Sequence, residues 1–329
     1  MEEKKALDKN KVYLSLLLAA IIVLAAAFVI LILSITGDNG ATEPSGEYEP
    51  VDVIEYNGKK YELRDDVETI LVMGLDQMGE SSANNSYNND LHADFLMLLV
   101  IDNTDRTVDA IPISRDTIAN VTVLGIGGKQ IDKIPQQISL AHSYGSGGLD
   151  SCRNVSRAVS DLLGIKIDYC ASLKMDAVRI VTDKVGGVEV VIPEDMTMIN
   201  EKFVEGETVF LTGEEALQFV TGRQGLDDST NHSRMKRQAM FIDSLYERLY
   251  AEMRLDEELD TELIELLTNY MVSNCSSSEL ERLSDKLRDY IRGKTYNING
   301  EYTVGDFMEF HADENSVKSI VVELFYNEK

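Results

Sequence analysis

The sequence predicts an α/β (α+β) protein with a mixed central β-sheet flanked by helices, an N-terminal transmembrane helix and a helical C-terminal extension. Three observations predict it. A long run near the N-terminus contains no charged side chain. Beyond it, short apolar runs typical of buried strands alternate with segments whose apolar residues recur at helical spacing. After Leu255, two amphipathic helical stretches follow, over residues 258–271 and 277–292.

The charge-free run covers residues 12–35, about 24 residues, and a hydrocarbon core needs about 20. Four lysines precede it and acidic residues follow it, so the positive-inside rule places the N-terminus in the cytoplasm. A cleaved signal peptide has a shorter apolar region and a small-residue cleavage site, so a retained anchor is the better interpretation. We therefore predict a cytoplasmic tail over 1–11, a transmembrane helix over 12–35 and an extracytoplasmic stalk over 36–67.

Three apolar runs predict strands that carry charged residues at their ends; they cover residues 69–74, 95–101 and 107–113, the last two forming a hairpin. Asp76 follows the first run and Asp94 precedes the second. Arg115 and Asp116 follow the third almost directly. Ligands bind beyond the strand ends of open sheets, carboxylates suit Mg²⁺, and a guanidinium suits phosphate, so these ends predict a phosphate and metal site. A purely structural Arg–Asp ion pair is the alternative reading.

The remaining elements follow from capping and turn signals. An Asn57-Gly58 turn predicts a hairpin, Gly164 ends a helix, and Thr212 with Glu215 forms a capping box. The predicted helices cover residues 151–163, 175–185, 214–220 and one from Asn231 or Ser233 to about 254. The predicted strands cover residues 53–63 as a hairpin, 169–173, 188–192 and a β-like tail at 319–325.

The net charge of −26 removes any general attraction to nucleic acid, so an anionic ligand must meet a local group of basic residues. One such group surrounds the start of the helix predicted from Asn231 or Ser233, where the free amides of the helix add to the positive potential. It consists of Arg223, Arg234, Lys236 and Arg237. A solvated helix face is the alternative reading of this group. Three cysteines without C-x-x-C spacing give neither a disulfide framework nor a zinc site, and we expect them to be buried.

No phosphate-binding P-loop, G-x-S-x-G elbow or H-E-x-x-H motif occurs. In their order and spacing over about residues 68–245, eight segments together resemble the LytR-CpsA-Psr family: residues 70–76, 93–100, 113–117, 140–145, 167–169, 185–188, 211–217 and 233–238. The resemblance predicts a LytR-CpsA-Psr-like catalytic domain over 68–254, followed by an extension of unknown role over 255–329.

The resemblance implies a phosphotransferase that attaches an anionic glycopolymer to peptidoglycan. The polymer is a teichoic acid, a capsular polysaccharide or a secondary wall polysaccharide, and its carrier is a polyprenyl pyrophosphate. The implied cofactor is Mg²⁺ or Mn²⁺. The implied partners are the lipid-linked glycopolymer, peptidoglycan and the membrane, with no nucleic acid. The implied location is the cell membrane of a Gram-positive-type envelope, with a single pass, a cytoplasmic N-terminus and the domain outside.

Residue by residue, the resemblance implies three overlapping sets of site residues. The metal-associated acids are Asp76 and Asp94. The catalytic residues are Arg115, Asp116 and Asp94. The pyrophosphate-binding residues are Arg115, Arg223, Arg234, Arg237 and His92.

Three positions depart from the family pattern. His92 occupies a position that is often Arg in the family. Thr221 occupies the position of the first Arg in an Arg-x-Arg pair, and Ser114 occupies the position of a Pro. The first two changes remove fixed positive charge from a pocket meant for pyrophosphate. Two further functions therefore stay open: a catalytically weakened member that binds lipid-linked polymer, and a metal-dependent polyprenyl-pyrophosphate hydrolase.

Overall fold

The computed structural model describes residues 49–79, 91–125, 129–222, 231–253, 255–256, 259–275, 279, 282–283, 286–287, 290–305 and 307–329. The predicted tail, the anchor at 12–35, most of the stalk and Arg223 lie outside these residues. None of the helices within the described ranges has the length and hydrophobicity of a membrane span.

The described residues form strands and helices that alternate along the chain. The strands are β1 (Val53–Tyr56), β2 (Lys59–Leu63), β3 (Val67–Leu75), β4 (Ala93–Asp102), β5 (Thr107–Pro112), β6 (Ile118–Leu124), β7 (Gln130–Gln137), β8 (Tyr169–Lys174), β9 (Val188–Val191), β10 (Thr208–Leu211), β11 (Met271–Ser273), β12 (Ile291–Thr295), β13 (Gly300–Val304), β14 (Met308–Ala312) and β15 (Tyr326–Glu328). The helices are α1 (Gly148–Leu163), α2 (Asp176–Lys184), α3 (Gly213–Thr221), α4 (Asn231–Met253), α5 (Leu259–Leu267) and α6 (Glu314–Phe325).

These elements belong to two compact units. One, here the sheet unit, contains the described residues of Gly37–Lys174, Met271–Cys275 and Thr295–Lys329. The other, here the helix unit, contains those of Met175–Tyr270 and Ser276–Lys294. The residues of β12 divide between the two.

The sheet unit contains a mixed central sheet in the order β11-β8-β3-β4-β5. Strand β3 pairs parallel with β8 and antiparallel with β4, and β4 pairs antiparallel with β5. Helices α1 and α6 cover the sheet, because Val155 and Val159 of α1 and Val321 of α6 share one buried cluster with Leu71 of β3. Burial of this continuous apolar cluster is the main stabilising term for the unit. The predicted mixed sheet with flanking helices is thus confirmed.

The local signals also behave as predicted. Asn57 and Gly58 have φ of 51° and 75°, the left-handed values of a tight hairpin turn. Gly164 ends α1 with a φ of 69°. In the helix unit, the Thr212 side chain accepts from the Glu215 amide and the Glu215 carboxylate accepts from the Thr212 amide, which completes the capping box. All three cysteines are buried free thiols.

The prediction for residues 255–329 needs correction. This extension is not simply helical, because it contains strands β11 to β15. The β-like tail at 319–325 is wrong, since these residues belong to α6. Val317, Ile320, Val321 and Leu324 recur at helical spacing and bury one face of that helix, a pattern that outweighs the β-branched composition. Strands β6, β7, β10, β13 and β14 were not predicted either.

The start of β4 is anchored by a buried histidine. The Nδ1 of His142 lies 3.1 Å from the Leu91 carbonyl oxygen, and the Ser143 hydroxyl donates to the same oxygen at 3.0 Å. Burial lowers the pKa of His142 to about 4, because the charged imidazolium loses its hydration there. The neutral ring therefore belongs to the native state over the whole neutral pH range.

We predict that this histidine makes the protein acid-sensitive. The pKa of His142 is about 6.5 in the unfolded chain and is lowered to about 4 in the folded one. Its contribution to the free energy of unfolding is therefore complete above pH 6.5 and is lost as the pH falls from 6.5 to 4. The loss at pH 4 is at most about 3 kcal/mol, from 1.36 kcal/mol per pKa unit. His142→Asn, which does not titrate, should therefore gain stability relative to wild type on acidification. Urea unfolding at pH 7, 5.5 and 4 measures this.

The matched control is His311→Asn, because His311 is half-exposed on β14 and contacts Glu309 at 3.1 Å. If the free energy of unfolding changes with pH in the same way in wild type and in His142→Asn, burial of a neutral His142 is not the cause of acid sensitivity.

Candidate active site

Three strand ends meet at one edge of the central sheet. Because β4 runs antiparallel to both β3 and β5, the end of β3, the start of β4 and the end of β5 lie side by side. Leu75 pairs with Ala93, which places Asp76 and His92 just beyond the paired residues at this edge. Asp76 is exposed and His92 is half-buried. The topology thus brings together the charged residues that the sequence places at strand ends.

A β-bulge separates Asp94 from the regular ladder. Gly74 pairs with Phe95 and Leu75 pairs with Ala93, so Asp94 is the extra residue on β4. Bulges re-aim a side chain at the end of a strand. Gly74 permits the close approach, because a Cβ there would lie 2.9 Å from the Phe95 Cβ. This glycine, the penultimate residue of β3, is compatible with the bulge but does not by itself predict it.

Arg115 binds the two neighbouring carboxylates. Its Nη1 forms an ion pair with Oδ1 of Asp94, and its Nε lies 3.6 Å from Oδ1 of Asp116. The Asp94 and Asp116 side chains are 4% and 8% exposed, whereas the Arg115 side chain retains 16%. The Arg115 side chain is therefore the most exposed of the three side chains in this cluster.

A tight turn presents Arg115. The Thr117 amide donates to the Ser114 carbonyl at 3.0 Å, and the Thr117 hydroxyl donates to the same carbonyl at 2.7 Å. The Asp116 amide donates to the Ser114 hydroxyl at 3.3 Å. The Ser139 amide donates to the Arg115 carbonyl at 3.2 Å. These bonds fix the backbone on both sides of Arg115, so the side chain projects from a rigid segment of the chain.

The oxygen donors at this edge match the ligand chemistry of Mg²⁺. Asp76 and Asp94 lie at adjacent strand ends, and Mg²⁺ usually needs one or two carboxylates together with substrate phosphates and water. Among the described residues, no cluster of three or more His, Cys, Asp or Glu side chains could hold a metal by itself. The residues thus fit a metal that arrives with a phosphate ligand better than a closed protein site.

The helix unit contains the second predicted set. Arg237 of α4 is 1% exposed and donates to Glu194 at 2.6 Å, to the Ser233 hydroxyl at 2.9 Å and to the Phe219 carbonyl at 3.1 Å. It also donates to the Gly222 carbonyl at 2.5 Å. These contacts hold the end of α3 against α4, which favours a structural role for Arg237. Its assignment to pyrophosphate stays a prediction.

Three further predictions fall in the same unit. Arg234 is 5% exposed on α4, one turn before Arg237. Thr221 ends α3, and its hydroxyl donates to the Leu217 carbonyl at 2.7 Å. Of the two predicted starts of α4, Asn231 is confirmed and Ser233 is wrong, since the Ser233 hydroxyl lies within the helix and donates to Glu194 at 2.5 Å.

Two polar residues at the sheet edge were missed by the sequence analysis. Gln137 donates from Nε2 to Oδ1 of Asp116 at 3.1 Å, and the Tyr302 hydroxyl donates to the Ser114 hydroxyl at 3.2 Å. Gln137 ends a strand without apolar alternation, and Tyr302 is 188 positions from Ser114. No local pattern marks either residue, so neither could be singled out from the sequence.

Comparison with known proteins adds an independent finding. The TagU protein of Bacillus anthracis, a polyisoprenyl-teichoic acid–peptidoglycan teichoic acid transferase, is 26% identical over 180 residues, 55% of this chain and 52% of that protein. Biofilm regulatory protein A of Streptococcus mutans is 26% identical over 249 residues, 72% of this chain and 58% of that protein. The chain thus spans between half and three-fifths of the length of these relatives.

Among solved structures, one described as "TagT bound to LI-WTA" has a TM-score of 0.57 at 18% identity, covering 79% of this chain and 90% of that one. At that identity the likeness supports the fold alone. The model of the LytR_cpsA_psr family matches residues 31–325, which is most of the sequence and extends well past residue 254. Given that match, together with strand ends that place Asp94, Arg115 and Asp116 at one sheet edge, the chain belongs to the LytR-CpsA-Psr family.

Proposed function

We propose that this protein is a phosphotransferase that attaches an anionic glycopolymer from a polyprenyl-pyrophosphate carrier to peptidoglycan. The observation that carries the proposal is the partly exposed side chain of Arg115, whose guanidinium is held by two buried carboxylates at the sheet edge. Family membership and the transferase name of the TagU relatives support it. A teichoic acid is the polymer those names favour, and a capsular or secondary wall polysaccharide fits the same chemistry.

The reaction exchanges a phosphoanhydride bond for a phosphate ester bond. An acceptor hydroxyl on peptidoglycan attacks the phosphorus next to the glycan, and its proton passes to a carboxylate at the sheet edge. The bond from that phosphorus to the bridging oxygen breaks, and polyprenyl phosphate leaves. Phosphoryl transfer needs positioning and charge neutralisation more than covalent catalysis by the protein. Arg115 supplies both through paired N–H donors, and Asp94 and Asp116 orient it.

Mg²⁺ or Mn²⁺ is the proposed cofactor, with Asp76 and Asp94 as its protein ligands. When bound, such a cation neutralises pyrophosphate charge. Arg223, Arg234, Arg237 and His92 remain the proposed additional phosphate contacts. Within the described residues, the N–H groups of Arg237 already bind the protein's own backbone, the Ser233 hydroxyl and Glu194, so Arg237 has few donors left for a phosphate.

We further propose that the enzyme is a single-pass membrane protein whose catalytic part lies outside the cell. The charge-free run at 12–35 and the lysines before it support this orientation. Carrier and acceptor both occur at that face of the membrane. A hydrolase would use the same residues with water as the acceptor, and it would release the glycan phosphate and polyprenyl phosphate without peptidoglycan. Product analysis with and without peptidoglycan therefore separates the two reactions.

The first prediction for this site concerns Arg115. Arg115→Gln should weaken binding of farnesyl pyrophosphate about tenfold to a hundredfold, which corresponds to about 1.5–3 kcal/mol for charge-assisted hydrogen bonds. Arg115→Lys should lose less affinity than Arg115→Gln, because lysine keeps the positive charge. It should still bind more weakly than wild type, because lysine lacks the two parallel N–H donors of a guanidinium. Titration calorimetry on the full-length chain measures both. Arg106→Gln is the control, since Arg106 is exposed at the opposite end of the same hairpin.

Wild-type affinity in Arg115→Gln would place the anion site elsewhere. A loss in Arg106→Gln of the same size would show that net charge, not this site, governs binding.

The second prediction concerns the metal. Asp94→Asn and Asp76→Asn should each raise the Mg²⁺ concentration needed for half-maximal transfer by roughly tenfold or more. The exposed Asp105, in the turn at the other end of β4, provides the control Asp105→Asn. Transfer activity measured over a range of Mg²⁺ concentrations gives this half-maximal concentration for wild type and for each variant. Unchanged Mg²⁺ dependence in both site variants would remove these residues from the metal.

The third prediction concerns topology. On intact cells stripped of their wall, an added protease should digest the chain beyond residue 36 and leave an N-terminal tag protected. Immunoblots against the tag and against the C-terminus, with a cytoplasmic protein as control, report the result. A fully protected C-terminus would contradict the outward orientation.

A further inference from the structure

The C-terminal hairpin β13–β14 contacts the turn that carries Arg115. The Phe310 amide of β14 donates to the Asp116 carbonyl at 2.8 Å, and Thr117 forms a parallel bridge with Phe310. The hairpin follows the last segment of resemblance by more than fifty positions, and the sequence analysis assigned it no role. We infer that Gln137 and Tyr302 are positioning residues that use this hairpin to fix Asp116 and Ser114, and through them Arg115. The inference rests on the proposed function of Arg115.

Gln137 is the central element of this arrangement. Its side-chain amide nitrogen carries two hydrogens, and the two acceptors come from different segments of the chain. One is Oδ1 of Asp116 at 3.1 Å, and the other is the Met308 carbonyl of β14 at 2.7 Å. Both hydrogens are therefore directed, and the amide group cannot rotate without breaking a bond. The hairpin thus locks Gln137, and Gln137 locks the Asp116 carboxylate.

The same carboxylate oxygen faces Arg115. Oδ1 of Asp116 lies 3.6 Å from the Arg115 Nε and accepts the bond from Gln137. Loss of the Gln137 bond removes one of the contacts that fix this carboxylate, whose terminal torsion has a broad energy profile. Arg115 would then keep Asp94 as its fixed partner while its Nε side loosened. A small displacement of a phosphate-binding group is enough to reduce catalysis strongly.

Tyr302 secures the other side of the turn. Its hydroxyl donates to the Ser114 hydroxyl at 3.2 Å, the group that also accepts from the Asp116 amide. The Tyr302 ring packs on Phe310 with centroids 4.8 Å apart. Gly300 allows this hairpin to close, because a Cβ there would lie 2.3 Å from the His311 carbonyl oxygen and 2.6 Å from the Phe310 Cζ. The hairpin therefore reaches the turn through its backbone, through Tyr302 and through Gln137.

The test replaces the Gln137 donor by a titratable acceptor. In Gln137→Glu, two carboxylates face each other at pH 8, so they repel and the donor is absent. Protonation at pH 5 restores an O–H donor between them. Affinity of the full-length chain for farnesyl pyrophosphate with Mg²⁺ should be about tenfold below wild type at pH 8 and within about threefold at pH 5. The melting temperature deficit should narrow over the same range.

Gln136→Glu is the matched control, with the same charge change on the adjacent residue of β7 and on the opposite strand face. It should bind like wild type at both pH values. Tyr302→Phe removes one hydroxyl and keeps the ring contact with Phe310. It should lower affinity about threefold to tenfold at an unchanged melting temperature. This variant tests the inference even if Gln137→Glu fails to fold.

Two outcomes would overturn the inference in distinguishable ways. If Gln137→Glu matches Gln136→Glu at both pH values, or Tyr302→Phe binds normally, while Arg115→Gln binds poorly, the anion site stands and the positioning role is wrong. If Arg115→Gln binds like wild type, the proposed site itself fails and the positioning role fails with it.

Discussion

The buried ion pair between Arg115 and Asp94 is the interaction on which the rest of the candidate site depends. Removing two charges from water carries a desolvation cost that their attraction only partly offsets, so such a pair is weak evidence for a role in stability. Its geometry instead requires two backbone devices, the bulge that re-aims Asp94 and the turn that presents Arg115. The bulge arises from the antiparallel pairing of β3 with β4, and the turn is held by its own hydrogen bonds and by those from Ser139 and Phe310. Together they hold the Arg115 guanidinium against Asp94.

How much of this could be predicted depends on the range of the interactions involved. Strands β3, β4 and β5 follow from their own apolar runs, and the ends of α1 and α3 follow from Gly164 and from the Thr212 capping box. These signals lie within a few residues of the structure that they specify. Strand β7 shows the opposite case, because its residues are mostly exposed and include Pro135, so neither alternation nor propensity marks it. It exists because β6 supplies its hydrogen-bonding partner.

The candidate site divides in the same way. Asp94, Arg115 and Asp116 were identifiable because charged residues at the ends of buried strands are unusual. The bulge was not, because it depends on how β3 and β4 pair and not on either strand alone. Gln137 and Tyr302 could not be identified either, because each contacts the turn only after the chain has folded back from a distant segment. The residues proposed to bind a ligand thus left a local signal, whereas the residues proposed to position them did not.

The charge balance at the sheet edge explains why Arg115 alone cannot be a complete anion site. Arg115 contributes one positive charge, and Asp94 and Asp116 contribute two negative ones, so this group carries 1 − 2 = −1 before Asp76 is counted. A pyrophosphate diester adds about two more negative charges at neutral pH, in a chain whose net charge is −26. Like charges gathered at a partly buried edge repel one another strongly, since the effective dielectric constant there is well below that of water. Binding of a pyrophosphate at this edge would therefore require further positive charge, and the proposed divalent cation, held by Asp76 and Asp94, would supply two units. If the proposed cofactor is correct, the acids that repel a free anion would make the edge selective for an anion that brings its metal ion.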